Sequence, residues 1–375
     1  MKIGIISDLH LGYARFEEDS YTQPEEMLKE LAEKVKVVII AGDIFDSRIP
    51  RLETIRRAIE IFKKSKIRII AIHGNHERRS KGFDNPLNVL ATSEALEYID
   101  AQRVVIDEGD EKIAIIGIGS VPEEQAEETI KQTIERYPPL PDAFNILVIH
   151  QNINEIVNQS GLSLEFIEKL PFDLVINGHI HKRYEKINGK LIVPGSTVIT
   201  QLKKEETEPK GYIIYDTKTK KADFFPTKTR KFIYEELNFE KAGENEVIAK
   251  VEEKIANLRL IYPEAIIAIK LCGTLREGLK SSDIRLRIND KLVFLSNELN
   301  AADISEKIEE IKKLRETNIS VKEFGRMRLE ERLKGKLKNI KTSEFLEKLI
   351  EDEEKAEEYI NKIIENLLEK NRIIN

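Results

Sequence analysis

Short apolar runs alternate with amphipathic stretches through about the first 230 residues, and this alternation limits the fold more than any other feature. The runs are rich in Ile and Val, as is typical of strands that are buried on both faces of a sheet. They comprise Lys2–Ile6, Val35–Ile40, Ile67–Ile72, Ile113–Ile118, Ile146–Ile149, Leu174–Ile176 and Tyr212–Tyr215. Between the early runs, Pro24–Val35 and Leu52–Phe62 carry apolar residues at helical spacing, and Pro24 suits a first helical position. The pattern predicts a layered α/β domain flanked by helices.

The character of the sequence changes after residue 232. A second set of short apolar runs surrounds a predicted helix at Glu246–Asn257. These runs are Phe232–Phe239, Ala265–Leu271 and Leu292–Leu295. From about Ala301 the chain consists mainly of Glu, Lys, Ile and Leu at helical spacing. We therefore predict three parts: a large α/β domain over residues 1–232, a small α/β domain over 233–312, and a linker with a helical tail over 313–375.

All six histidines lie before residue 182, and five of them stand in polar clusters that follow an apolar run. The clusters contain Asp8 and His10, then Asp43, then Asn75, His76 and Glu77, then His150, and finally His179 and His181. In open α/β sheets, ligands bind beyond the carboxyl ends of the strands. The sequence therefore predicts one site that is built from Asp8, His10, Asp43, Asn75, His150, His179 and His181.

The residue types in these clusters are typical of metal ligands. Asp8 and His10 stand two residues apart, so at a strand end both are expected to face the same way and hold one ion. His179 and His181 can serve one ion or two neighbouring ions, and the two carboxylate oxygens of Asp43 can bridge. Imidazole, carboxylate and amide groups together suit Mn²⁺, Fe²⁺ or Zn²⁺ better than Mg²⁺ or Ca²⁺.

The charge of the predicted site points to a phosphate substrate. Only Asp8 and Asp43 are anionic, so two divalent cations would leave an excess of positive charge that attracts phosphate. Two metals about 3.5–4 Å apart can clamp the attacking and leaving oxygens of an in-line displacement. His76 follows the ligand Asn75 and is the candidate to stabilise the transition state or protonate the leaving oxygen.

Each cluster also has a structural alternative when it is taken alone. Asp8 could cap a helix, Gly42-Asp43 could form a turn, and a single histidine is more often structural than a ligand. His73, which follows Ile72, is assigned to packing on these grounds. Five coincidences would be needed to explain all the clusters in this way, so the metal site is the better interpretation.

The order of these motifs resembles that of the calcineurin-like metallophosphoesterase superfamily over the first 200 residues. The whole chain resembles a narrower group, the Mre11 nuclease family of DNA double-strand-break repair, of the archaeal type and similar to bacterial SbcD. The segments Ser7–Gly12, Ala41–Asp46 and Asn177–His181 carry this narrower resemblance. It implies a layered β-sandwich core flanked by helices, with a small α/β capping, DNA-binding domain and a helical C-terminal tail.

The resemblance also implies roles for the site residues. One Mn²⁺ would be held by Asp8, His10, Asp43 and His181, and the other by Asp43, Asn75, His150 and His179. His76 would be the catalytic histidine. The family often has a histidine three residues after the bridging aspartate, where this chain has Asp46. Phosphoprotein phosphatases have an aspartate there that orients the catalytic histidine, so Asp46 is predicted to hold His76 in place.

The function implied is a Mn²⁺-dependent DNA nuclease, with exonuclease and single-strand endonuclease activity, that processes double-strand breaks. The alternative is a metallophosphatase that acts on phosphoproteins or small phosphoesters. The small second domain, the basic stretch Val321–Lys341 and the tail favour the nuclease, because a phosphatase needs none of them. A non-catalytic scaffold is disfavoured because all seven predicted ligands are present.

Contacts with DNA are predicted next to the site. Arg78, Arg79 and Lys81 follow the catalytic histidine, and Lys182 and Arg183 follow the last ligand. The alternative for each is a solvated loop. The net charge of −6 excludes a uniformly basic coat, so only local basic patches can bind phosphates.

Two protein partners are implied by the resemblance. A homodimer would use the helix Leu52–Phe62 and the segment Pro86–Tyr98, with Ile55, Ile59, Val89 and Leu90 as candidate contacts, although burial within the monomer is the alternative. The tail helix Phe345–Leu368 would dock on the coiled coil of a Rad50-type (SbcC-like) ABC ATPase. The predicted contacts are Leu349, Ile360, Ile363, Ile364 and Leu367. The alternative is a tail that folds back on the small domain.

Composition adds an expectation about the compartment. A single cysteine, Cys272, cannot form an internal disulfide, which fits a reducing cytoplasm. The apolar run at the N-terminus is too short for a signal peptide, and no stretch reaches the roughly 18 apolar residues of a membrane span. An intracellular, chromosome-associated protein with no membrane segment is expected.

Overall fold

The computed structural model describes residues 1–80, 82–109, 111–301 and 359–363. The chain divides into two compact units that interleave along the sequence. The first comprises Met1–Leu237, Lys250–Lys270 and Arg287–Ser296, and the second comprises Asn238–Ala249, Leu271–Leu286 and Asn297–Asn375. The domain boundaries drawn from the sequence remain a prediction. Among the described residues, none of the helices combines the length and the apolar character that a membrane span requires.

Two six-stranded sheets lie in the first unit. In spatial order, the first sheet contains β12 (Lys221–Pro226), β11 (Gly211–Asp216), β1 (Lys2–Ile6), β2 (Val37–Ala41), β3 (Arg68–Ile72) and β4 (Glu97–Tyr98). The second contains β5 (Gln102–Asp107), β6 (Lys112–Gly117), β7 (Phe144–Ile149), β8 (Leu174–Asn177), β10 (Leu191–Val193) and β9 (Tyr184–Lys186). Pairing is parallel from β1 through β4 and among β6, β7, β8 and β10. It is antiparallel between β1 and β11, β11 and β12, β5 and β6, and β9 and β10.

The two sheets pack against each other through a shared hydrophobic core. Ile5, Ile39 and Ile70 of the first sheet belong to the same buried cluster as Ile115 and Ile146 of the second. Because the strands are buried on both faces, their sequences read as continuous apolar runs. The apolar runs predicted as strands do form strands, and the layered α/β sandwich inferred from the sequence is confirmed.

Helices cover the outer faces of the sandwich. The helices are α1 (Glu17–Ala32), α2 (Leu52–Ser65), α3 (Pro86–Thr92), α4 (Glu123–Arg136), α5 (Asn154–Val157) and α6 (Leu164–Lys169). Helices α1, α2 and α3 bury Leu28, Phe62 and Leu87 against the first sheet. On the second sheet, α4 and α6 bury Ile130 and Ile167.

The predicted start of α1 was wrong. The helix begins at Glu17, seven residues before the predicted Pro24, and Pro24 lies inside it. Its first turns bury Ser20, Tyr21 and Gln23, so the core-facing side of that part of the helix is largely polar. Apolar periodicity alone could not reveal a helical face of this kind.

The later part of the chain contains a three-stranded sheet, in the order β13 (Phe232–Ala242), β14 (Ile266–Leu275) and β15 (Val293–Ala301). Helix α7 (Glu244–Ile261) lies between the first two of these strands in sequence. The three strands and the helix agree with the predicted second α/β region. Residues 359–363 are helical. The basic stretch Val321–Lys341 and the rest of the predicted tail lie outside the described residues.

Candidate metal centre

The ends of five strands bring the predicted ligands together. Strands β1, β2 and β3 of the first sheet, and β7 and β8 of the second, are each followed by one of the polar clusters. Three groups of side chains hold their ligand atoms within 4.8 Å of one another: Asp8, His10 and His181; His10, Asp43 and His76; and Asp43, His150 and His179. Asn75 joins them because its Oδ1 lies 3.1 Å from Nε2 of His150. All seven predicted ligands therefore surround one site.

The backbone at this site is strained. Asp8, His10, Asp43 and His179 have φ values of 54°, 48°, 49° and 72°, in the left-handed region. That conformation costs a non-glycine residue about 1–2 kcal/mol. Backbone hydrogen bonds across neighbouring loops maintain it: the amide of Asp8 donates to the carbonyl of Gly42, and the amide of His10 to the carbonyl of Asp43, both at 3.0 Å. Backbone strain of this kind is typical of active sites and ligand-binding sites, where a side chain is held in one fixed direction.

Two glycines of the motifs allow the loops to approach closely. A Cβ atom on Gly74 would lie 2.0 Å from Oδ1 of Asp43, and one on Gly178 would lie 1.9 Å from the carbonyl oxygen of Ala41. No larger residue fits at either position without moving backbone or ligand. The glycines that precede Asn75 and His179 are thus required by the geometry of the site.

The first cluster, formed by Asp8, His10 and His181, places acceptor atoms against each other. Nε2 of His10 lies 3.3 Å from Nε2 of His181, and Nε2 of His181 lies 3.6 Å from Oδ1 of Asp8. Oδ1 of Asp8 is buried and has no hydrogen-bond partner. Ser7 Oγ donates to the other carboxylate oxygen of Asp8 at 2.5 Å, so Oδ1 is left directed at the two imidazoles. A buried orphan carboxylate oxygen beside two ring nitrogens fits a cation site.

The second cluster, formed by Asp43, Asn75, His150 and His179, points to the same conclusion. Nδ1 of His150 lies 2.7 Å from the carbonyl oxygen of Ala41, so Nδ1 carries the proton. In the neutral ring, Nε2 therefore presents a lone pair, yet it faces Oδ1 of Asn75 at 3.1 Å and Oδ2 of Asp43 at 3.3 Å. Three acceptors this close need a proton or a metal ion between them. Nδ1 of His179 also lies 2.8 Å from Oδ1 of Asn75. The donor set fits a divalent transition metal.

The titration behaviour of the site agrees with this geometry. Burial alone would raise the pKa of Asp43, but His150 and its neighbouring imidazoles hold it below its usual range. Burial would lower the pKa of His150, but Asp43 and Asp8 raise it to about 9. Burial and the charge of His150 lower the pKa of His179 to about 4, and burial lowers the pKa of His181 as well. The raised pKa of His150 thus favours a proton on the ring that faces the carboxylate of Asp43, while the lowered pKa values of His179 and His181 favour their neutral forms.

His76 borders the site and remains open to the cleft. Its amide donates to Oδ1 of Asp43 at 3.0 Å, and Nδ1 donates to the carbonyl oxygen of Asp46 at 2.5 Å. The side chain is 35% exposed, and Nε2 lies 3.9 Å from Oδ2 of Asp43. The carboxylate of Asp46 lies 3.9 Å from Nδ1 of His76 but 3.4 Å from Nδ1 of His10. His76 is thus oriented by the backbone of Asp46, and the side chain of Asp46 is closer to a predicted ligand.

Two polar residues for which the sequence predicted no role contribute to the site. Glu77 is fully buried and accepts hydrogen bonds from the amides of Phe45 at 2.5 Å and Gly74 at 2.8 Å. It joins the loops after β2 and β3, and burial raises its pKa to about 8. Oδ1 of Asn152 lies 3.0 Å from Nε2 of His179. The sequence offered only position as a signal for these two residues. Glu77 directly follows His76, and Asn152 stands two residues after His150.

A cleft of about 630 Å³ adjoins the two candidate ligand clusters, and Asn152, Lys182 and Tyr184 are among its lining residues. Of the predicted DNA contacts, Lys182 forms an ion pair with Glu208 at 2.7 Å, and the guanidinium of Arg183 lies 3.7 Å from the centre of the Phe224 ring. Arg78 and Arg79 are half-buried beside the site. Lys81 lies outside the described residues.

The predicted partner contacts occupy different environments. Ile55 and Ile59 are half-buried and pack against the core under α1, α2 and α3. Leu90 is fully buried in that core, which is the alternative left open by the sequence, whereas Val89 is 46% exposed. Of the predicted tail contacts, Ile360 and Ile363 are half-buried in the helical segment 359–363. The others, Leu349, Ile364 and Leu367, lie outside the described residues.

Comparison with known proteins places this site in a family context. The model of the family described as calcineurin-like phosphoesterase matches residues 1–183. The DNA double-strand break repair protein Mre11 of Methanocaldococcus jannaschii is 30% identical over 66% of this chain and 72% of its own length. The double-strand break repair protein MRE11 of Rattus norvegicus is 25% identical over 63% of this chain and 42% of its own length. The chain therefore spans less than half the length of the rat relative.

Proposed function

Because this chain belongs to the Mre11 family of double-strand break repair proteins, we propose that it is a metal-dependent nuclease that hydrolyses DNA phosphodiester bonds at double-strand breaks inside the cell. The observation that carries this proposal is the clustering of seven carboxylate, amide and imidazole side chains beside one cleft, which four of them line. Both exonuclease and single-strand endonuclease activity are proposed. Mn²⁺ is the proposed metal because the family resemblance implies it, and the mixture of nitrogen and oxygen donors suits Mn²⁺ as it suits Fe²⁺ or Zn²⁺.

The two ions are assigned to the two clusters. Asp8, His10 and His181, together with Asp43, would hold one ion. Asp43 with the remainder of the second cluster (Asn75, His150 and His179) would hold the other. Two bound divalent cations supply Lewis-acid activation of water and neutralise charge on the attacking and leaving oxygens.

The protein's own contribution to the reaction centres on His76. Because Nδ1 donates to the carbonyl of Asp46, the ring presents Nε2 to the cleft. In the protonated ring, Nε2–H is the group that can donate to the leaving oxygen of the DNA backbone. Asn152 and Tyr184 line the same cleft and would border a bound substrate.

Contacts with the DNA backbone are proposed at the basic residues around the cleft. Arg78, Arg79 and Lys81 would contact phosphates on one side, and Lys182 and Arg183 on the other. Lys182 is 37% exposed and already paired with Glu208, so a phosphate would have to replace that carboxylate. A homodimer and an ABC-type ATPase of the Rad50 kind are the proposed protein partners.

The proposal is tested by the choice of substrate. Purified chain with Mn²⁺ should shorten an end-labelled DNA duplex and should stop when a chelator is added. The same preparation should release phosphate from a small phosphomonoester or a phosphopeptide slowly or not at all. Rapid phosphate release with the DNA left intact would instead support the phosphatase alternative.

The ATPase partner is tested by truncation. A chain that ends near residue 315 lacks the predicted tail contacts, and we expect it to retain Mn²⁺-dependent nuclease activity but to lose binding of a Rad50-type ATPase in a pull-down. Retained binding would contradict the proposed role of the tail. A loss of nuclease activity would also contradict that role, because it would mean that the catalytic core needs the tail for its own activity.

A further inference from the structure

A buried ion pair lies behind the ligand His181. Nζ of Lys210 lies 2.6 Å from Oε2 of Glu206, and the two side chains are only 8% and 4% exposed. The neighbouring charged residues Lys203, Lys204 and Glu205 are exposed. Removing two charges from water costs free energy. The burial of this pair within an otherwise exposed charged segment therefore requires compensating contacts nearby.

The ion pair is connected to the side chain of His181 through Thr200. Oγ1 of Thr200 lies 2.5 Å from Nδ1 of His181 and donates to Oε1 of Glu206 at 3.2 Å. The amide of Gln201 donates to the same carboxylate oxygen at 3.2 Å. Glu206 thus accepts two hydrogen bonds in addition to its contact with Lys210.

The other member of the pair reaches the backbone of the same histidine. Nζ of Lys210 donates to Oγ of Ser196 at 2.8 Å and to the carbonyl oxygen of His181 at 3.5 Å. The amide of Ser196 also donates to that carbonyl, at 3.1 Å. One buried ion pair therefore contacts both the side chain and the main chain of His181, directly or through a single hydroxyl.

The hydrogen bonds determine where the protons lie. An ionised carboxylate can only accept, so the single proton of the Thr200 hydroxyl is donated to Glu206. Oγ1 of Thr200 must then accept at its other contact, and the proton in that contact belongs to Nδ1 of His181. With Nδ1 protonated, Nε2 of the neutral ring carries the lone pair, and Nε2 is the atom that faces His10 and Asp8.

We infer that Thr200, Glu206 and Lys210 are positioning residues that hold His181 in the tautomer and orientation in which Nε2 is free to bind metal at the first cluster. The inference rests on the proposed metal centre and adds residues to it. His150 offers the contrast, because its Nδ1 is held by the backbone carbonyl of Ala41, which a substitution cannot remove. The binding of one of the two ions should therefore depend on the side chain at position 200.

The test compares two substitutions of one residue. Thr200→Val removes the hydroxyl at nearly constant volume, and Thr200→Ser keeps it. The matched control is Thr207→Val, because Thr207 is exposed and its hydroxyl donates only to the carbonyl of Lys204, at 2.7 Å. Mn²⁺ binding to the full chain is measured by titration calorimetry. Loss of an outer hydrogen bond to a metal-bound histidine typically weakens metal affinity by about 10–100-fold.

We expect the wild type, Thr200→Ser and Thr207→Val to bind two ions alike, and Thr200→Val to bind one of the two more weakly by that factor. A second readout is the imidazole tautomer in the metal-free protein, from ¹⁵N NMR of chain labelled at its six histidines, with the His181 signal assigned by its loss in His181→Asn. It should report protonated Nδ1 at His181 in the wild type and a mixture of tautomers in Thr200→Val.

Two results would overturn the inference while leaving the metal centre intact. One is unchanged affinity for both ions in Thr200→Val, and the other is an equal loss in Thr200→Ser. A wild type that binds no Mn²⁺ would contradict the proposed metal centre itself, and the inference with it. The variant Glu206→Gln serves as a further check, because a neutral amide accepts more weakly from Thr200 and should also weaken the binding of one ion.

Discussion

The carbonyl oxygen of Asp46 accepts a hydrogen bond from Nδ1 of His76 at 2.5 Å, while the carboxylate of Asp46 lies 3.9 Å from that nitrogen. The backbone at position 46 thus orients the proposed catalytic histidine, and the side chain is free for another task. Its nearest imidazole is that of His10, at 3.4 Å from Nδ1. Asp46 therefore has one contact with the proposed catalytic residue and another with a proposed ligand.

Asp46→Ala should separate these two contacts. The backbone carbonyl remains, so turnover at saturating Mn²⁺ should stay within a few-fold of wild type. Mn²⁺ affinity should fall by about tenfold, because His10 loses its outer carboxylate. Both quantities come from the Mn²⁺ dependence of DNA cleavage. A loss of turnover that persists at saturating metal would mean that the carboxylate, and not the carbonyl, orients His76.

His76→Gln should show the opposite pattern. His76 is proposed as a proton donor and not as a ligand, so calorimetry should still detect two Mn²⁺ ions. Turnover should fall by about 10²–10⁴-fold, the usual worth of general acid–base help. If metal occupancy collapses together with activity, His76 is a ligand or a structural residue instead.

Glu77→Ala should destabilise the fold. The substitution leaves the buried amides of Phe45 and Gly74 without an acceptor, at a cost of roughly 1–3 kcal/mol for each group. The free energy of unfolding of the metal-free chain, measured with a chemical denaturant, should fall accordingly. Glu135→Ala, at an exposed position of α4, is the control and should have little effect. Equal stability of the two variants would show that Glu77 does not hold the loops together.

Most of the proposed ligands could be read from the sequence because the signal is local. Each follows directly on a buried apolar strand, and the carboxyl ends of parallel strands meet at one edge. Asp8 and His10 were expected to face the same way because side chains alternate along a strand. The structure brings them into one cluster by a different backbone conformation. Strand β1 ends at Ile6, and both residues have positive φ values, so strained turns aim them.

The rest of the site could not be read in this way, because burial is decided by tertiary packing. Glu206 and Lys210 stand in a segment of charged residues that is typical of a solvated loop, yet both are buried. Thr200 contacts His181 only because the loop after β10 folds back next to that histidine. The first turns of α1 were missed for a related reason, since Ser20 and Gln23 are polar residues on the buried face.

The proposed homodimer predicts a change of mass on substitution of exposed apolar residues. Leu52 at the start of α2 is 85% exposed, and Val89 on α3 is 46% exposed. A charge at either position should oppose burial in an interface, so Leu52→Asp and Val89→Asp should shift the chain towards the monomer mass of 43.2 kDa in light scattering. Val105→Asp, at a comparably exposed position on β5, should leave the dimer unchanged. A wild type that is monomeric at micromolar concentration would contradict the dimer.

The two ligand clusters are proposed to hold two metal ions that are required for DNA cleavage. The most direct measurement is Mn²⁺-dependent cleavage of an end-labelled duplex by the wild type, Asp8→Asn and His10→Ala, with the number of bound Mn²⁺ ions determined for each. We predict two ions per chain and cleavage for the wild type, with cleavage abolished in both variants because the first cluster can no longer hold its ion. Undiminished Mn²⁺-dependent cleavage by either variant would contradict the assignment.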